Sequence, residues 1–291
     1  MTSLSPIAST WTFEAIGTVW TLDTERPLAP AERGAVRQVI AEFDRDWSRF
    51  RPDSTVTRLS HEGGEVDAPL DASAMLDAYV ALDDATGGAV NPLVGDSLAR
   101  RGYDARYTLL DRGASAAPAT WRDLLRWSDD RLRLEAAATI DVGALGKGRL
   151  VDRVVDELDS AGGAWVVVDA GGDIAVSGTT QRIALEHPFD PTRAIGVWTV
   201  TDAALCASAV NRRAWGEGLH HVLDARTGEP VRAYAATWAV APDAMTADAV
   251  ATALFFDGGP RLAAEWGVAW VRMRTDGSVE WSPRCDAELF S

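Results

Sequence analysis

The sequence has few cysteines and no concentrated positive charge. Its two cysteines, Cys206 and Cys285, lie far apart and form no CxxC pair, which argues against a disulfide framework and a zinc signature. The 291 residues carry a formal net charge of −15 and contain no run of Lys or Arg. Because a nucleic-acid backbone would need a concentrated basic face, nucleic acid is not expected as a partner.

Targeting signals are also missing from the sequence. Residues 1–12 contain no basic segment followed by a long apolar stretch, and no cysteine for lipid attachment. We therefore expect no membrane span and a cytoplasmic location. The contents of hydrophobic residues (47%) and charged residues (24%) are those of an ordinary folded protein.

The sequence does contain short strand-like and helical segments in alternation. In residues 30–47, apolar side chains recur at steps of three and four, which predicts a helix. Further expectations are a strand over 12–22 with a break at Gly17-Thr18, a hairpin over 127–134, a strand-turn-strand unit over 164–178, a strand over 220–223 and a helix over 246–256. Because many strand pairs are joined by short turns, the pattern predicts an α+β fold with largely antiparallel sheets, formed by a single domain over residues 1–291.

The stretch 141–149 (DVGALGKGR) is the first candidate for a functional site. An aspartate, three glycines and Lys147 precede a run with helical periodicity, so backbone N–H groups at a helix N-terminus could meet an anion. The stretch is not a Walker A loop, because Lys147 is followed by Gly148, and the dinucleotide fingerprint GxGxxG is absent. A glycine-rich turn with a solvated lysine is the alternative interpretation.

A second candidate lies in residues 246–256 (TADAVATALFF). On a helix, Asp248 and Thr252 are four residues apart and share a face. Their small apolar neighbours leave room for a ligand, and hard oxygen donors of this kind suit Mg²⁺. Alternatively, Asp248 is a first-turn acid that the helix dipole favours.

Two further segments are weaker candidates. His221 begins the segment HVLDARTGEP and could act as a base or position a hydroxyl, or it could be an ordinary surface histidine. The turn 169–173 (DAGGD) has glycines that permit a close approach of the backbone to a ligand or to another strand. Turn chemistry alone accounts for this second segment.

Together these segments resemble the FAD:protein FMN transferases, also called ApbE-type flavin transferases. The motifs that carry the resemblance are, in chain order, IDVGALGKGRLVDRVVDEL, VVVDAGGDIAVSG, HHVLDARTGEPV and TADAVATALFF. The segments IGTVW, SRFRPDSTVTRLS and AVNPLVGDSLARRGYD are similar to the family's flavin-binding segments. The resemblance extends over residues 15–258, with the motifs in the same order and at similar spacing.

The resemblance implies an α+β fold that holds FAD in a cleft, with Mg²⁺ at the pyrophosphate. It implies transfer of FMN to a Ser or Thr hydroxyl of an acceptor protein, with release of AMP. By position, the implied metal ligands are the Asp248 carboxylate, the Thr252 hydroxyl and the Ala144 carbonyl. His221 matches the histidine that serves the acceptor hydroxyl, and Asp248 could also ease removal of that proton.

The resemblance also implies a set of FAD contacts. Asp141 and Lys147 match positions near FAD, and Val222 lies where the backbone meets the nucleotide. The implied flavin or adenine contacts are Ile16, Phe50, Arg101, Gly102 and Tyr103. Three of these depart from the family pattern: Ile16 replaces a methionine, Arg101 stands where a tryptophan is frequent, and Phe50 fills the aromatic position. These changes alter the grip on the flavin ring and leave the pyrophosphate end intact.

Two other functions remain open at this point. An FAD pyrophosphatase would use the same site with water in place of the acceptor hydroxyl, and would produce FMN and AMP. A flavin-binding protein without turnover would retain intact FAD. Release of AMP separates the enzymes from the binding protein, and covalent flavin on an acceptor separates the two enzymes.

Overall fold

A nine-stranded antiparallel sheet lies at the centre of this computed structural model, which describes residues 9–290. In chain order, the strands are β1 (Ser9–Ala15), β2 (Thr18–Thr24), β3 (Gly64–Asp67), β4 (Leu125–Trp127), β5 (Arg131–Leu134), β6 (Val166–Asp169), β7 (Asp173–His187), β8 (Asp190–Ala209), β9 (Ala214–Trp215), β10 (Leu219–His220), β11 (Leu223–Asp224), β12 (Glu229–Pro230), β13 (Tyr234–Ala241), β14 (Ala269–Arg274), β15 (Val279–Trp281) and β16 (Glu288–Leu289). The large sheet has the order β1-β2-β6-β7-β8-β13-β14-β15, and β16 pairs with β8. The remaining strands form a three-stranded sheet, β3-β5-β4, and two short hairpins.

The helices are α1 (Pro30–Trp47), α2 (Thr55–Glu62), α3 (Ala72–Thr86), α4 (Gly95–Arg100), α5 (Trp121–Leu124), α6 (Gly146–Ser160), α7 (Ala244–Ala253) and α8 (Gly259–Glu265). Three of them, α6, α7 and α8, contact strands of the large sheet on one face. The helix α1 buries Val36, Ile40, Phe43 and Trp47, the face that its spacing predicts. Within residues 9–290, every helix is too short or too polar to cross a membrane.

Each face of the large sheet has its own hydrophobic core. Successive side chains of a strand point to opposite faces, and the two valines Val167 and Val168 of β6 belong to different cores. The core with Val168 also contains the buried residues of α1, α6 and α7. The core with Val167 contains Trp165, Trp198 and Trp238 and lies on the face away from the helices. One face of the sheet thus packs against α6 and α7.

The predicted α+β class with antiparallel sheets is confirmed, and so are the hairpin over 127–134 and the strand-turn-strand unit over 164–178. Two strand predictions were wrong. The expected break at Gly17-Thr18 is present, but it separates two paired strands within residues 12–22, because Ile16 and Gly17 adopt positive φ angles and turn the chain back on itself. Residues 220–223 are divided as well, since β10 pairs with β9 and β11 pairs with β12, which leaves His221 and Val222 between them.

Candidate active site

A cavity of about 380 Å³ is enclosed by the β1–β2 turn, the loop after α1, the segment before α6, the region between β8 and β11, and α7. Most of the predicted site residues line it: Ile16, Phe50, Tyr103, Asp141, Ala144, Lys147, His221, Val222 and Thr252. Arg101, Gly102 and Asp248 do not line the cavity. The fold therefore brings together residues that are far apart in the sequence.

The predicted metal ligands meet where α6 and α7 touch. A Cβ added at Gly148 would lie 2.2 Å from the Ala244 carbonyl oxygen and 2.8 Å from the Asp248 Cβ, so a side chain at Gly148 would push the helices apart. The Gly148 N–H donates to Asp248 Oδ2 at 3.0 Å. The Thr252 hydroxyl donates to the Ala144 carbonyl oxygen at 3.1 Å. Oxygens of Asp248, Thr252 and Ala144 are thus held at one helix junction.

The Asp248 carboxylate is buried and lacks a full counter-charge. Burial raises its pKa to about 8 and the Asp173 carboxylate adds to the rise, while Lys147 opposes it. Between residues 9 and 290, no three His, Cys, Asp or Glu side chains form a group that could hold a metal ion. The predicted set is of another kind, since it combines a carboxylate, a hydroxyl and a carbonyl. Hard oxygens suit Mg²⁺, and a cation beside Asp248 would stabilise its charged form.

Lys147, which is partly exposed to the cavity, forms an ion pair with the buried Asp173. The distance from Lys147 Nζ to Asp173 Oδ2 is 2.8 Å, and neither oxygen of this carboxylate has a well-directed hydrogen bond to the described residues. Burial opposes the charge on Lys147, but the carboxylates of Asp173 and Asp248 outweigh this effect and raise its pKa. Lys147 is therefore positive at the cavity wall. Asp173 ends the turn 169–173, which is one of the weaker candidates in the sequence. Its ion pair with Lys147 gives this turn a role beyond turn chemistry.

Asp141 is held by two residues that the sequence did not single out. The Arg49 guanidinium forms an ion pair with the Asp141 carboxylate and donates to the Tyr103 carbonyl at 2.8 Å. The Tyr79 hydroxyl donates to the Asp141 carbonyl at 3.0 Å and accepts from the Ala144 N–H at 3.3 Å. These contacts fix the segment before α6. No sequence pattern marks Arg49 or Tyr79, because the contacts join segments that only the fold brings together.

Aromatic side chains form the opposite end of the cavity. The Phe50 ring stacks on Tyr107, with centroids 5.2 Å apart and an interplanar angle of 11°. The Tyr103 ring meets Phe50 edge-on at 5.4 Å and stacks on Trp215 at 5.6 Å. Such a group offers ring faces to an aromatic ligand. Tyr107 and Trp215 were not among the predicted contacts.

Arg101 and Gly102 hold a loop beside this end. The Arg101 guanidinium donates to the Gly228 carbonyl at 3.0 Å and pairs with Asp111 and Glu229. Gly102 has a φ of 100° and leaves no room for a side chain, since an added Cβ would lie 2.5 Å from the backbone nitrogen of Leu110. These contacts join the loop to the β11–β12 turn. Flavin contacts of Arg101 and Gly102 stay a prediction.

The two adjacent histidines differ in their surroundings. His220 has a protein partner, because its Nε2 lies 2.9 Å from the Val231 carbonyl. His221 lines the cavity, and its Nδ1 is buried without a hydrogen-bond partner among residues 9–290. Burial, helped by the positive charge of Arg213, lowers the pKa of His221 to about 3. His221 is thus a neutral imidazole at the cavity wall, with a buried Nδ1 that has no partner among residues 9–290.

The antiparallel α+β fold and a cavity between a buried oxygen junction and an aromatic cluster are the features that the resemblance to the ApbE family leads us to expect. The family model described as the ApbE family matches residues 16–271. The chain therefore belongs to the ApbE family, and the resemblance found in the sequence is confirmed.

Curated relatives carry one name. The chain is 27% identical to the FAD:protein FMN transferase of Rhodobacter capsulatus, in an alignment that covers 96% of this chain and 58% of that protein. It is also 27% identical to the FAD:protein FMN transferase of Treponema pallidum, over 75% of this chain and 68% of that protein. The chain thus spans little more than half the length of the Rhodobacter relative.

Solved structures share the fold. The crystal structure of the ApbE protein from Thermotoga maritima has a TM-score of 0.81 at 23% identity and covers 94% of this chain and 97% of its own. The flavin transferase ApbE from Vibrio cholerae has a TM-score of 0.77 at 20% identity, with the same coverage. These likenesses confirm the fold class.

Proposed function

We propose that this protein is an FAD:protein FMN transferase that requires Mg²⁺. It would transfer FMN from FAD to a Ser or Thr hydroxyl of an acceptor protein and release AMP. The observation that carries the proposal is the junction of α6 and α7. There Thr252 and Ala144 line the cavity together with Lys147 and His221, and the buried Asp248 carboxylate is held at the same junction by the Gly148 N–H. The names of the curated relatives support the same activity.

The reaction exchanges the phosphoanhydride bond of FAD for a new phosphoester bond to the acceptor. The acceptor oxygen would attack the flavin-side phosphorus of FAD, and the bond from that phosphorus to the bridging oxygen would break. The bridging oxygen leaves with AMP, and the hydroxyl proton passes to a base. Phosphoryl transfer of this kind depends on charge neutralisation and on positioning more than on covalent chemistry by the protein.

Residues of this chain can meet both requirements. Asp248, Thr252 and Ala144 would hold Mg²⁺, which when bound withdraws charge from the pyrophosphate. Lys147 stays positive because Asp173 pairs with it, so it can neutralise a phosphate oxygen.

Proton removal falls to His221. Its Nδ1 has no hydrogen-bond partner among the described residues, and its lowered pKa keeps it neutral. A neutral imidazole can accept a hydrogen bond from the acceptor hydroxyl, and we propose this role for the His221 ring at the cavity wall. Asp248 is a second candidate base, although holding the cation would occupy the same carboxylate.

The test is incubation of the protein with FAD and Mg²⁺, with and without a candidate acceptor protein. Chromatography measures AMP, and in-gel fluorescence after SDS electrophoresis detects flavin bound covalently to the acceptor. AMP together with fluorescent acceptor supports transfer, whereas AMP with free FMN alone identifies a pyrophosphatase. Absence of AMP under both conditions overturns both enzymatic functions and leaves a flavin-binding protein.

A further inference from the structure

One basic side chain at the cavity has no partner among the described residues, 9–290. Four basic residues line the cavity, and three of them are paired: Arg49 with Asp141, Lys147 with Asp173, and Arg51 with Asp44 and Asp53. The guanidinium of the fourth, Arg213, makes neither an ion pair nor a hydrogen bond to any residue from 9 to 290. The chain has a net charge of −15, so carboxylates that could pair with a cation are abundant. The simplest explanation for an arginine at the cavity without such a carboxylate is that Arg213 pairs with a ligand from outside the chain.

Arg213 lies between the two ends of the cavity. Its carbonyl accepts a hydrogen bond from the His221 N–H at 3.3 Å, which places it beside the proposed base. Its guanidinium carbon is 6.0 Å from the centroid of the Tyr103 ring, at the aromatic end. Its positive charge also lowers the pKa of His221 and opposes the rise at Asp248. The guanidinium therefore acts on the proposed metal ligand and on the proposed base at once.

An anion with two neighbouring oxygens, such as a phosphate group, is the ligand that this guanidinium can bind. A guanidinium offers five N–H donors in a rigid fork and binds phosphate oxygens in a bidentate manner. The neighbouring Tyr103 ring restricts it through a cation–π contact. We propose that Arg213 is a substrate-binding residue that contacts a phosphate of the flavin nucleotide and so distinguishes phosphorylated flavins from riboflavin. The identity of the nucleotide rests on the proposed function.

The adjacent residue Arg212 provides a matched control. Its guanidinium pairs with Glu186 at 3.0 Å, and 55% of its side chain is exposed. It does not line the cavity. Removal of either charge changes the net charge of the protein equally, so any difference between the two variants comes from the position of Arg213.

Binding of FAD, FMN and riboflavin, followed by fluorescence titration in EDTA to prevent metal-dependent cleavage of FAD, tests the proposal without turnover. For Arg213→Gln we expect the dissociation constants of FAD and FMN to rise about tenfold to a hundredfold, the loss typical of charge-assisted hydrogen bonds. Riboflavin, which has no phosphate, should bind this variant as it binds the wild type, and Arg212→Gln should bind all three ligands unchanged. An equal loss for riboflavin would show that Arg213 serves only the aromatic cluster, and unchanged FAD affinity would also refute the proposal.

A second variant guards against a folding defect. Arg213→Lys keeps the charge and loses the fork, so it should bind FAD more weakly than the wild type and more tightly than Arg213→Gln. Equal affinities of the two variants would contradict the role of the charge. The proposal and the proposed function fail separately: wild type that binds FAD but releases no AMP removes the transferase, whereas tight FAD binding by Arg213→Gln removes only the phosphate contact.

Discussion

The two ends of the cavity are built by different means. At the end that we propose binds the pyrophosphate, called the pyrophosphate end below, α6 and α7 pack so closely that Gly148 has no space for a side chain, and Asp173 and Asp248 are buried. At the aromatic end, Phe50 and Tyr107 lie on loops, and Tyr107 is 50% exposed. One end is fixed by helices and buried charges, and the other by ring contacts at the surface.

This difference explains where the chain departs from the family pattern. Ile16, Phe50 and Arg101 are all among the flavin or adenine contacts that the resemblance implies, whereas the aspartate, lysine and threonine that it implies near the pyrophosphate are present in this sequence. Ring stacking tolerates many combinations of side chains. A buried charge pair tolerates few, because removal of one partner leaves the other uncompensated. We therefore expect substitutions at the pyrophosphate end to affect turnover, and those at the aromatic end to affect mainly affinity.

The largest effect is expected for Asp248→Ala. This change removes the only carboxylate from the proposed metal ligands, so the rate of AMP release should fall at least about a hundredfold. When both proteins are free of metal, the Asp248→Ala variant should be at least as stable as the wild type. The reason is that a buried acid whose pKa is raised to about 8 is a net cost to folding. The measurements are AMP release at saturating FAD and Mg²⁺, and thermal unfolding in EDTA.

Asp156→Ala is the control for this prediction. Asp156 is exposed on α6. Its side chain forms neither an ion pair nor a hydrogen bond with residues 9–290. Its rate should equal that of the wild type. A rate for Asp248→Ala within a factor of about three of the wild type would show that the oxygen junction does not serve the reaction.

Asp173→Asn should have the next largest effect. It leaves Lys147 without its ion-pair partner at 2.8 Å, and loss of one member of a buried pair costs about 3 kcal/mol of stability. Lys147 would also be less well fixed, so AMP release should fall about tenfold. Urea unfolding measures the first effect and steady-state kinetics the second. Asp173→Glu keeps the charge, and should recover more activity than Asp173→Asn if the role is to hold Lys147.

Asp173 also shows what the sequence could reveal and what it could not. The motifs around Asp248, Thr252 and Lys147 were visible because each is local, with helical spacing or a glycine turn beside a charge. The pairing of Lys147 with Asp173 joins α6 to the start of β7 and depends on the sheet, so local spacing does not encode it. The contacts of Arg49 and Tyr79 were hidden for the same reason.

The fold was predictable to a similar extent. Periodicity gave the class and helices such as α1 (Pro30–Trp47), because burial of one helix face leaves a regular pattern. Periodicity did not predict the chain reversal at Ile16-Gly17, because Ile16 adopts a positive φ that an isoleucine seldom takes.

A smaller effect concerns the support of α7. Both oxygens of the Asp152 carboxylate accept backbone N–H groups of this helix, from Ala244 at 2.7 Å and from Met245 at 2.9 Å. Burial raises the pKa of Asp152 to about 6 from its ordinary 3.8, although these hydrogen bonds oppose the rise. The folded protein therefore keeps this proton at pH values where the unfolded chain has lost it. The resulting stability is full below about pH 4 and is lost as the pH rises through 6.

Asp152→Asn tests this sign. The variant cannot titrate, so its free energy of unfolding should fall less than that of the wild type between about pH 4 and pH 6. The difference should be on the order of 1–2 kcal/mol, because Asp152 is only partly buried. Urea unfolding in EDTA at several pH values measures it, with Asp156→Asn as the control on the same helix. Parallel profiles for wild type and Asp152→Asn would refute the prediction.

The smallest effect is expected for Tyr107→Ala, at the other end of the cavity. Loss of the stack on Phe50 should cost about 1 kcal/mol at most, because half of the Tyr107 side chain already meets solvent. The Michaelis constant for FAD should rise about threefold to fivefold, and the maximal rate of AMP release should stay unchanged. Leu110→Ala, on the same loop and 61% exposed, should alter neither constant. If Tyr107→Ala lowered the maximal rate as far as Asp248→Ala does, the division of the cavity into a reacting end and a holding end would be wrong, because the loop would then be needed to position the pyrophosphate.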